Sequence, residues 1–583
     1  MKDVFVYPLK DHFIPVLADH MIREAGAQNR DFKRLAVVFG GQRPRLFLNK
    51  ALSQRLSAGF VAPSFFTIDE FIDRILAKCH QEDRISDLDA CYLIYQLAHE
   101  HAPEVLKGRS TFEAFLPWAK EILVFIEQVD LEDVAIKPLE DLALHADIGF
   151  DVPPSINTLV AHLACLRQAF HRELKKKEVY TRGLSYLEAA QRVQEVAWPE
   201  FDKIYFCNFF YLHRTEQQIM KYLHEANLAS FFFQGDERQW SVLKKTAQGL
   251  GISIQSETTA LEPADLSLHA GIDLHTEIGA LREELKKIKD PDDTVIILPD
   301  AKAVVPLVSE IASVVDAFNV SLGYPVARSS LYALLEAIFD AQRHRKDHRY
   351  YVKDYLRVLG HPLVKNLSLA GDASVTRILV HKVEEVLLGM EPSDLGGVLF
   401  VGTQEVEGTP GLLRAALQMS DRAESSISVD SLRSILSQLH RVFFQQWEEI
   451  RDFATFADAL VGVMDMLVRW GRLEKYPLHI KMVERLLRIA GDFRGASFAL
   501  EPFDKEAIFK IIHHQMESEA ASFSGSPLKG LQVLGLFEAR SLNFKNVFVL
   551  DVNESVLPKL RVYEPLIPRD VMIALGLNRL EKE

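Results

Sequence analysis

Six short apolar runs most constrain what this chain can become: "DVFVYPL" (3–9), "RLAVVFGG" (34–41), "KIYFCNFF" (203–210), "ASFFFQGD" (229–236), "DTVIILPD" (293–300) and "NVFVLDV" (546–552). Each is rich in Val, Ile or Phe and bounded by turn residues, the pattern of strands buried on both faces of a mostly parallel sheet. Parallel neighbours need crossover connections. Amphipathic segments such as "FIPVLADHMIREAG" (13–26) and "VVPLVSEIASVV" (304–315) supply the helices of βαβ units, so the expected class is α/β.

The runs are unevenly spread. Residues 75–200 and 330–520 read almost wholly as helix, as in "DACYLIYQLAHEHAPEVL" (89–106) and "YALLEAIFDAQRHRKDHRYYVKDYLRVL" (332–359). At 583 residues and 48% hydrophobic, the chain exceeds what one core supports. Two α/β cores, each interrupted by a large all-helical insertion, reconcile length with pattern. The cores are expected at 1–75 with 200–260 and at 261–335 with 525–583, the insertions at 76–199 and 336–524.

No apolar run approaches the ~20 residues needed to cross a bilayer, and "MKDVFVYPLKDH" lacks the layout of a signal peptide, so a soluble, cytoplasmic protein with no membrane partner is expected. Cys79, Cys91, Cys165 and Cys207 stand singly and read as small buried apolar residues rather than zinc, cluster or disulfide partners. His99 with His101 and His513 with His514 lack the i, i+4 spacing of a zinc helix, so no metal is expected. A nucleophile elbow and a paired cysteine nucleophile are both absent from the sequence. The net charge of −14 argues against a surface basic all over, but a nucleic-acid channel needs only a local basic stripe.

A first strand followed by a helix is where a glycine-rich phosphate loop would sit. The turn here is "VYPLKDHF", with Pro8, Lys10 and Asp11 but no glycine, and no Gly-Lys-Ser/Thr occurs anywhere. Lys10 could reach a phosphate; the backbone could not come close, and Asp11 would repel it. After "KIYFCNFF", where an acidic pair would hold magnesium, stand Asn208, Phe209 and Phe210. The turn "FFFQGDERQW" keeps Asp236 and Glu237, which alone suit a solvated strand-to-helix turn.

Taken together, these elements resemble superfamily I helicases of the UvrD/RecB type, most closely the AddB-like, helicase-inactivated subunits of bacterial double-strand-break helicase–nucleases. "LAVVFGGQRPRLFLNKAL" with "PSFFTIDEFIDRIL", "FDKIYFCNFFYLHRTEQQIMKYL" and "NVSLGYPVARSSLYALLEAI" are similar to family segments. So is "LFEARSLNFKNVFVLDVNESVLP" (536–558). Laid on the active family's version of that last segment, Phe537 replaces a histidine, Arg540 a lysine, Ser541 a glycine and Asn543 a glutamate linked to nucleotide contact. Leu542, Phe544, Val547, Phe548, Glu554 and Pro558 are retained. The resemblance implies two RecA-like, P-loop-helicase-type cores whose ATP motif positions, Lys10, Asn208, Asp236, Arg540 and Asn543, are degenerate. It also implies a DNA-binding role in recombination and repair, beside an ATP-driven AddA/RecB-like helicase–nuclease subunit. No cofactor is implied for the chain itself, with Mg²⁺ needed only by a PD-(D/E)XK nuclease domain that would follow residue 583 in a longer protein.

For DNA contact, the resemblance puts the turn "GGQRPRLFLNK" (40–50) beside the strand: Gly40 and Gly41 allow close approach, and Arg43, Arg45 and Lys50 can meet phosphates. "QRHRKDHRYYVK" (342–353) offers Arg343, Arg345, Lys346 and Arg349 near Tyr350, either a phosphate stripe with a stacking ring or a solvated helix face. "HRELKKKEVYTR" (171–182) reads as an exposed helix. The expected function is a catalytically inactive helicase-like scaffold binding single-stranded or end DNA. A protein-interaction scaffold with a vestigial groove, or a divergent ATPase, are the alternatives.

Overall fold

The computed structural model describes residues 3–26, 30–79, 83–135, 154–256, 264–422, 427–523, 525–554, 556–557, 566–568, 572–573 and 575–577. Pro558 lies outside the described residues. The chain is α/β, with its longer strands in two parallel sheets. It divides into two compact units, Met1–Leu322 with Gly525–Glu583, and Gly323–Ser524.

The first unit holds both sheets, whose strands are numbered here in chain order. β1 (Val4–Tyr7), β2 (Leu35–Phe39), β3 (Ser64–Thr67), β4 (Lys203–Cys207) and β5 (Ala229–Gln234) form a five-stranded sheet in the order β1-β5-β4-β2-β3, parallel throughout. β6 (Thr294–Leu298), β7 (Phe318–Val320), β8 (Leu531–Gly535) and β9 (Asn546–Val549) form a four-stranded parallel sheet in the order β9-β6-β8-β7.

In the five-stranded sheet the three central strands are almost wholly buried while the edge strands β1 and β3 are half-buried, which is why β2, β4 and β5 read as continuous apolar runs. Successive side chains still alternate between faces. Val37, Phe39, Tyr205, Cys207 and Phe232 pack under α1 (Phe13–Ala25) and α2 (Arg43–Leu56). On the opposite face Phe206 meets Phe71 of α3 (Ile68–Cys79), and Phe231 meets His224 of α8 (Arg214–Glu225).

Between α3 and β4 the chain forms α4 (Asp87–His101), α5 (Phe112–Leu131), α6 (Pro154–Lys176) and α7 (Arg182–Arg192). α5 and α7 approach so closely that a Cβ at Gly183 would fall 2.7 Å from the Glu127 Cα. Asp130, fully buried, is neutralised by Arg167 at 2.7 Å and hydrogen-bonded by His171 at 2.9 Å, tying α5 to α6.

The second unit is inserted between β7 and β8, neighbours in the second sheet. It is mainly helical, and its first and last residues pair antiparallel, Gly323–Pro325 with Ala520–Ser522. Trp447 and Phe339 sit in its core, Phe339 stacked on Phe509 at 4.3 Å.

Three expectations need correction. Residues 332–359 are not one helix. α9 (Ser330–Arg343) stops, Asp347 and His348 turn with φ of 46° and 63°, Tyr350–Tyr351 pairs with Phe400–Val401, and α10 (Val352–Leu359) follows. Lys346 and Arg349 exchange both backbone hydrogen bonds around that turn, the geometry of a two-residue hairpin. The strand within 546–552 is not buried: β9 is an edge strand with Val547 and Val549 exposed. Among the cysteines only Cys91 and Cys207 are buried; Cys79 is half-buried and Cys165 exposed.

No described helix is long and apolar enough to cross a membrane.

Candidate nucleic-acid interface

From β2 the chain crosses through α2 to β3 on one side; from β4 it crosses through α8 to β5 on the other. The connections part between the C-terminal ends of β2 and β4, and such a switch point leaves a crevice where open α/β sheets bind ligands. A cleft of about 780 Å³ lies there. Gly40–Leu46 and Asn208–Tyr211 line it from the first sheet; Ser321, Pro527, Phe537, Glu538, Arg540 and Ser541 close it from the second.

The two arginines that the β2–α2 turn gives it differ. Arg43 is half-buried and donates to the Gln532 side-chain oxygen at 3.3 Å; burial lowers its pKa, against the opposing pull of Glu538. Gln532 is held in turn by Asn319 (3.0 Å) and the Gly530 carbonyl (2.9 Å). That position must be glycine: its φ is +71°, and a Cβ would fall 2.1 Å from the Ala317 carbonyl oxygen. Arg45, half-buried in the cleft wall, has no hydrogen bond or ion pair among the described residues. Lys50, a turn and a half along α2, donates to the Leu528 carbonyl at 3.2 Å and does not line the cleft.

Two aromatic rings stand open in the lining, Phe537 at 65% and Phe210 at 40% exposure. The Arg540 guanidinium lies 4.5 Å from the centre of the Phe537 ring, and Phe210 meets the exposed Trp240 edge-on at 5.8 Å. Asn208 takes a positive φ of 56°, which asparagine tolerates, and its amide donates to the Ser541 hydroxyl at 3.1 Å. Cations and open rings in one crevice suit an unpaired strand, whose phosphates seek charge and whose bases seek stacking.

The β1–α1 turn is built differently. The Gln234 side-chain amide donates to the Asp11 carbonyl at 2.7 Å and reaches those of Pro8 and Leu9 at 3.4 Å, so the turn presents carbonyls inward where a phosphate loop presents N–H groups. At the start of α1 the His12 side chain makes no cap; the Phe13 N–H donates instead to the Asn543 side-chain oxygen, at 3.1 Å. Lys10 is exposed to solvent.

Asp236 is also spent: its carboxylate is buried at the start of a turn whose Arg238, Gln239 and Trp240 are exposed. Arg238 bonds its carboxylate through backbone and guanidinium, and the Ser256 N–H adds a third contact. These bonds, Arg238's first, hold its pKa down to about 2. Among the described residues no group of three or more His, Cys, Asp or Glu side chains is arranged to hold a metal ion.

The basic run of the second unit is internally neutralised. Arg343 pairs with Glu506 (2.9 Å) and Asp340 (3.2 Å), Arg345 with Glu448, and Arg349 with both oxygens of Glu405 at 2.7 Å. Lys346 lies 5.4 Å over the Phe400 ring. Tyr350 is fully buried, its hydroxyl donating to Glu448 at 2.5 Å, so it has no ring face to offer a base; burial first, then that bond, raises its pKa. In the 171–182 stretch, Lys175, Lys176 and Arg182 likewise face Glu188, Glu173 and Asp69.

Of the sequence-predicted residues, the cleft therefore gathers Arg43 and Arg45 with Asn208 and Arg540. It adds Phe537 and Phe210, which the sequence marks only as departures from a motif. Compared with known family models and with curated proteins, the chain matches none.

Proposed function

We propose that this chain is a helicase-like scaffold without nucleotide chemistry that binds single-stranded or end-unwound DNA, in the manner of the AddB-like subunits it resembles. In this reading the two parallel sheets are two RecA-like cores. An AddA/RecB-like partner supplies the ATP-driven motor, and the assembly serves double-strand-break recombination.

One observation carries the reading: two strand-to-helix turns of the same sheet have opposite fates. The β1–α1 turn, where a phosphate would be cradled, is filled by Gln234 and Asn543. The β2–α2 turn opens into a cleft with Gly40, Gly41 and an Arg45 that has no ion pair among the described residues. The first arrangement disfavours a divergent ATPase. The second favours an anionic ligand whose backbone comes close.

The test is binding of a fluorescent oligonucleotide across a salt series, beside isothermal titration with ATP and magnesium. Salt-sensitive DNA binding with no nucleotide heat is expected. ATPase activity stimulated by single-stranded DNA would refute the reading. The interaction-scaffold reading is favoured by the carboxylate partners of Arg343, Arg345 and Arg349, and predicts DNA affinity indifferent to charge reversal at Arg45.

A further inference from the structure

A second surface combining open rings with free cations lies on the second unit, at the turn joining α11 (Phe453–Trp470) to α12 (Pro477–Gly495). α11 stops at Gly471, where a Cβ would fall 2.4 Å from the Leu467 carbonyl oxygen. Leu473 is buried and anchors a single 3-10 turn, and Pro477 opens the next helix. With Leu473 facing inward, Arg472, Glu474, Lys475 and Tyr476 face solvent. Trp470 remains 42% and Tyr476 59% exposed.

Neighbouring chain adds charge to the same end. The Ser368 N–H donates to the Trp470 carbonyl at 2.8 Å, holding the 366–372 loop alongside. That loop is flanked by Lys365 and by Arg377, whose guanidinium donates to the Asn366 side chain at 3.3 Å. Arg469 is shared with Asp465 at 2.7 Å. Arg472 and Lys475 have no hydrogen-bonding side-chain partner and no ion pair among the described residues. Besides Asp465, acids at this end include Glu474, which is exposed, and Asp372, whose carboxylate is engaged by Ser374.

Single exposed apolar residues need no explanation, but a Trp and a Tyr six positions apart, interleaved with cations, match the layout of an unpaired strand. Paired bases would have no use for the ring faces. An acidic peptide would use the cations and leave the rings idle.

We propose that this turn is a second contact for single-stranded nucleic acid, with Trp470 and Tyr476 stacking on unpaired bases and Arg472, Lys475, Lys365 and Arg377 taking the flanking phosphates. It rests on the nucleic-acid reading above but uses residues of the second unit alone, none of which lines the cleft, so the two can fail separately.

The experiment uses the full chain and a fluorescent oligothymidylate of about 15 nucleotides, in the wild-type background and in Arg45→Glu. Arg472→Glu with Lys475→Glu should weaken binding about tenfold in both backgrounds and flatten the log–log salt slope by about 1.4, two phosphates' worth. Trp470→Ala with Tyr476→Ala should weaken it about thirtyfold or more and leave the slope unchanged. With the unsubstituted protein, photo-crosslinking to an iodouracil-bearing strand should label the peptide carrying Trp470 or Tyr476. Wild-type affinity and slope in both pairs of variants would overturn the proposal, as would crosslinks confined to the cleft. So would loss of binding to a polyglutamate peptide with oligonucleotide binding intact, which would mark an acidic protein partner. If Arg45→Glu changes nothing while the turn variants abolish binding, the cleft reading falls and this one holds.

Discussion

The β1–α1 and β2–α2 turns leave one sheet, feed helices packed on one face, and end in opposite states. Two amides close the first: Gln234 donates into its carbonyls and Asn543 accepts from its first helical N–H. The second has glycines where the first has Pro8 and Lys10, and arginines where the first has an Asn acceptor reaching in from the other sheet. The first helix terminus is therefore satisfied by a neutral side chain, which leaves its first N–H group with no need of an anion. On the proposed reading, anion binding falls to the neighbouring turn.

The sharpest way to break this contrast is charge reversal on the open side. Arg43→Glu with Arg45→Glu should lower affinity for a single strand by about two orders of magnitude at low salt and flatten the salt slope by about 1.4, read by anisotropy. Arg45→Glu alone should give most of the affinity loss, since Arg43 is already held by Gln532. Next in size is the open ring: Phe537→Ala should cost about 1–3 kcal/mol of binding, with the salt slope unmoved. On the closed side, Asn543→Ala removes a helix cap and should lower stability by about 1 kcal/mol in chemical denaturation. It should leave ATP undetectable by calorimetry, because Gln234 still occupies the turn. The smallest effect is expected at Arg349→Ala, an exposed pair worth about 0–1 kcal/mol, with DNA affinity unchanged.

Sequence pattern reached β1, β2, β4, β5, β6 and β9, each a run of apolar residues between turn residues. It did not single out β7, only three residues long, or β8, whose "LQVLG" carries a buried glutamine in mid-strand. Arg43 and Arg45 were legible as cleft residues through the resemblance, which puts the β2–α2 turn and its glycine pair beside a bound strand. Tyr350 was not, since nothing local shows that Asp347 and His348 turn the chain and tuck the ring inside. The partners that neutralise the basic run are distant too, Glu405 lying 56 residues from Arg349 and Glu506 lying 163 from Arg343. Asn543 was noticed for the glutamate it lacks; that it caps a helix 530 residues away is a fact only of the folded chain.

The pairing of Gly323–Pro325 with Ala520–Ser522 also bears on assembly order. β7 and β8 are adjacent in the sheet, yet from Val320 to Leu531 the chain makes a loop of 211 residues. Once the second unit has folded and its ends are joined, only three residues from Val320 to Gly323 and nine from Ser522 to Leu531 remain to be closed. Shortening the free loop this way lowers its closure entropy cost by about 2–3 kcal/mol. The helical insertion should therefore fold ahead of the sheet it interrupts, and a chain with the Gly323–Ser522 pairing disrupted should refold its second sheet more slowly while its first sheet forms at the usual rate.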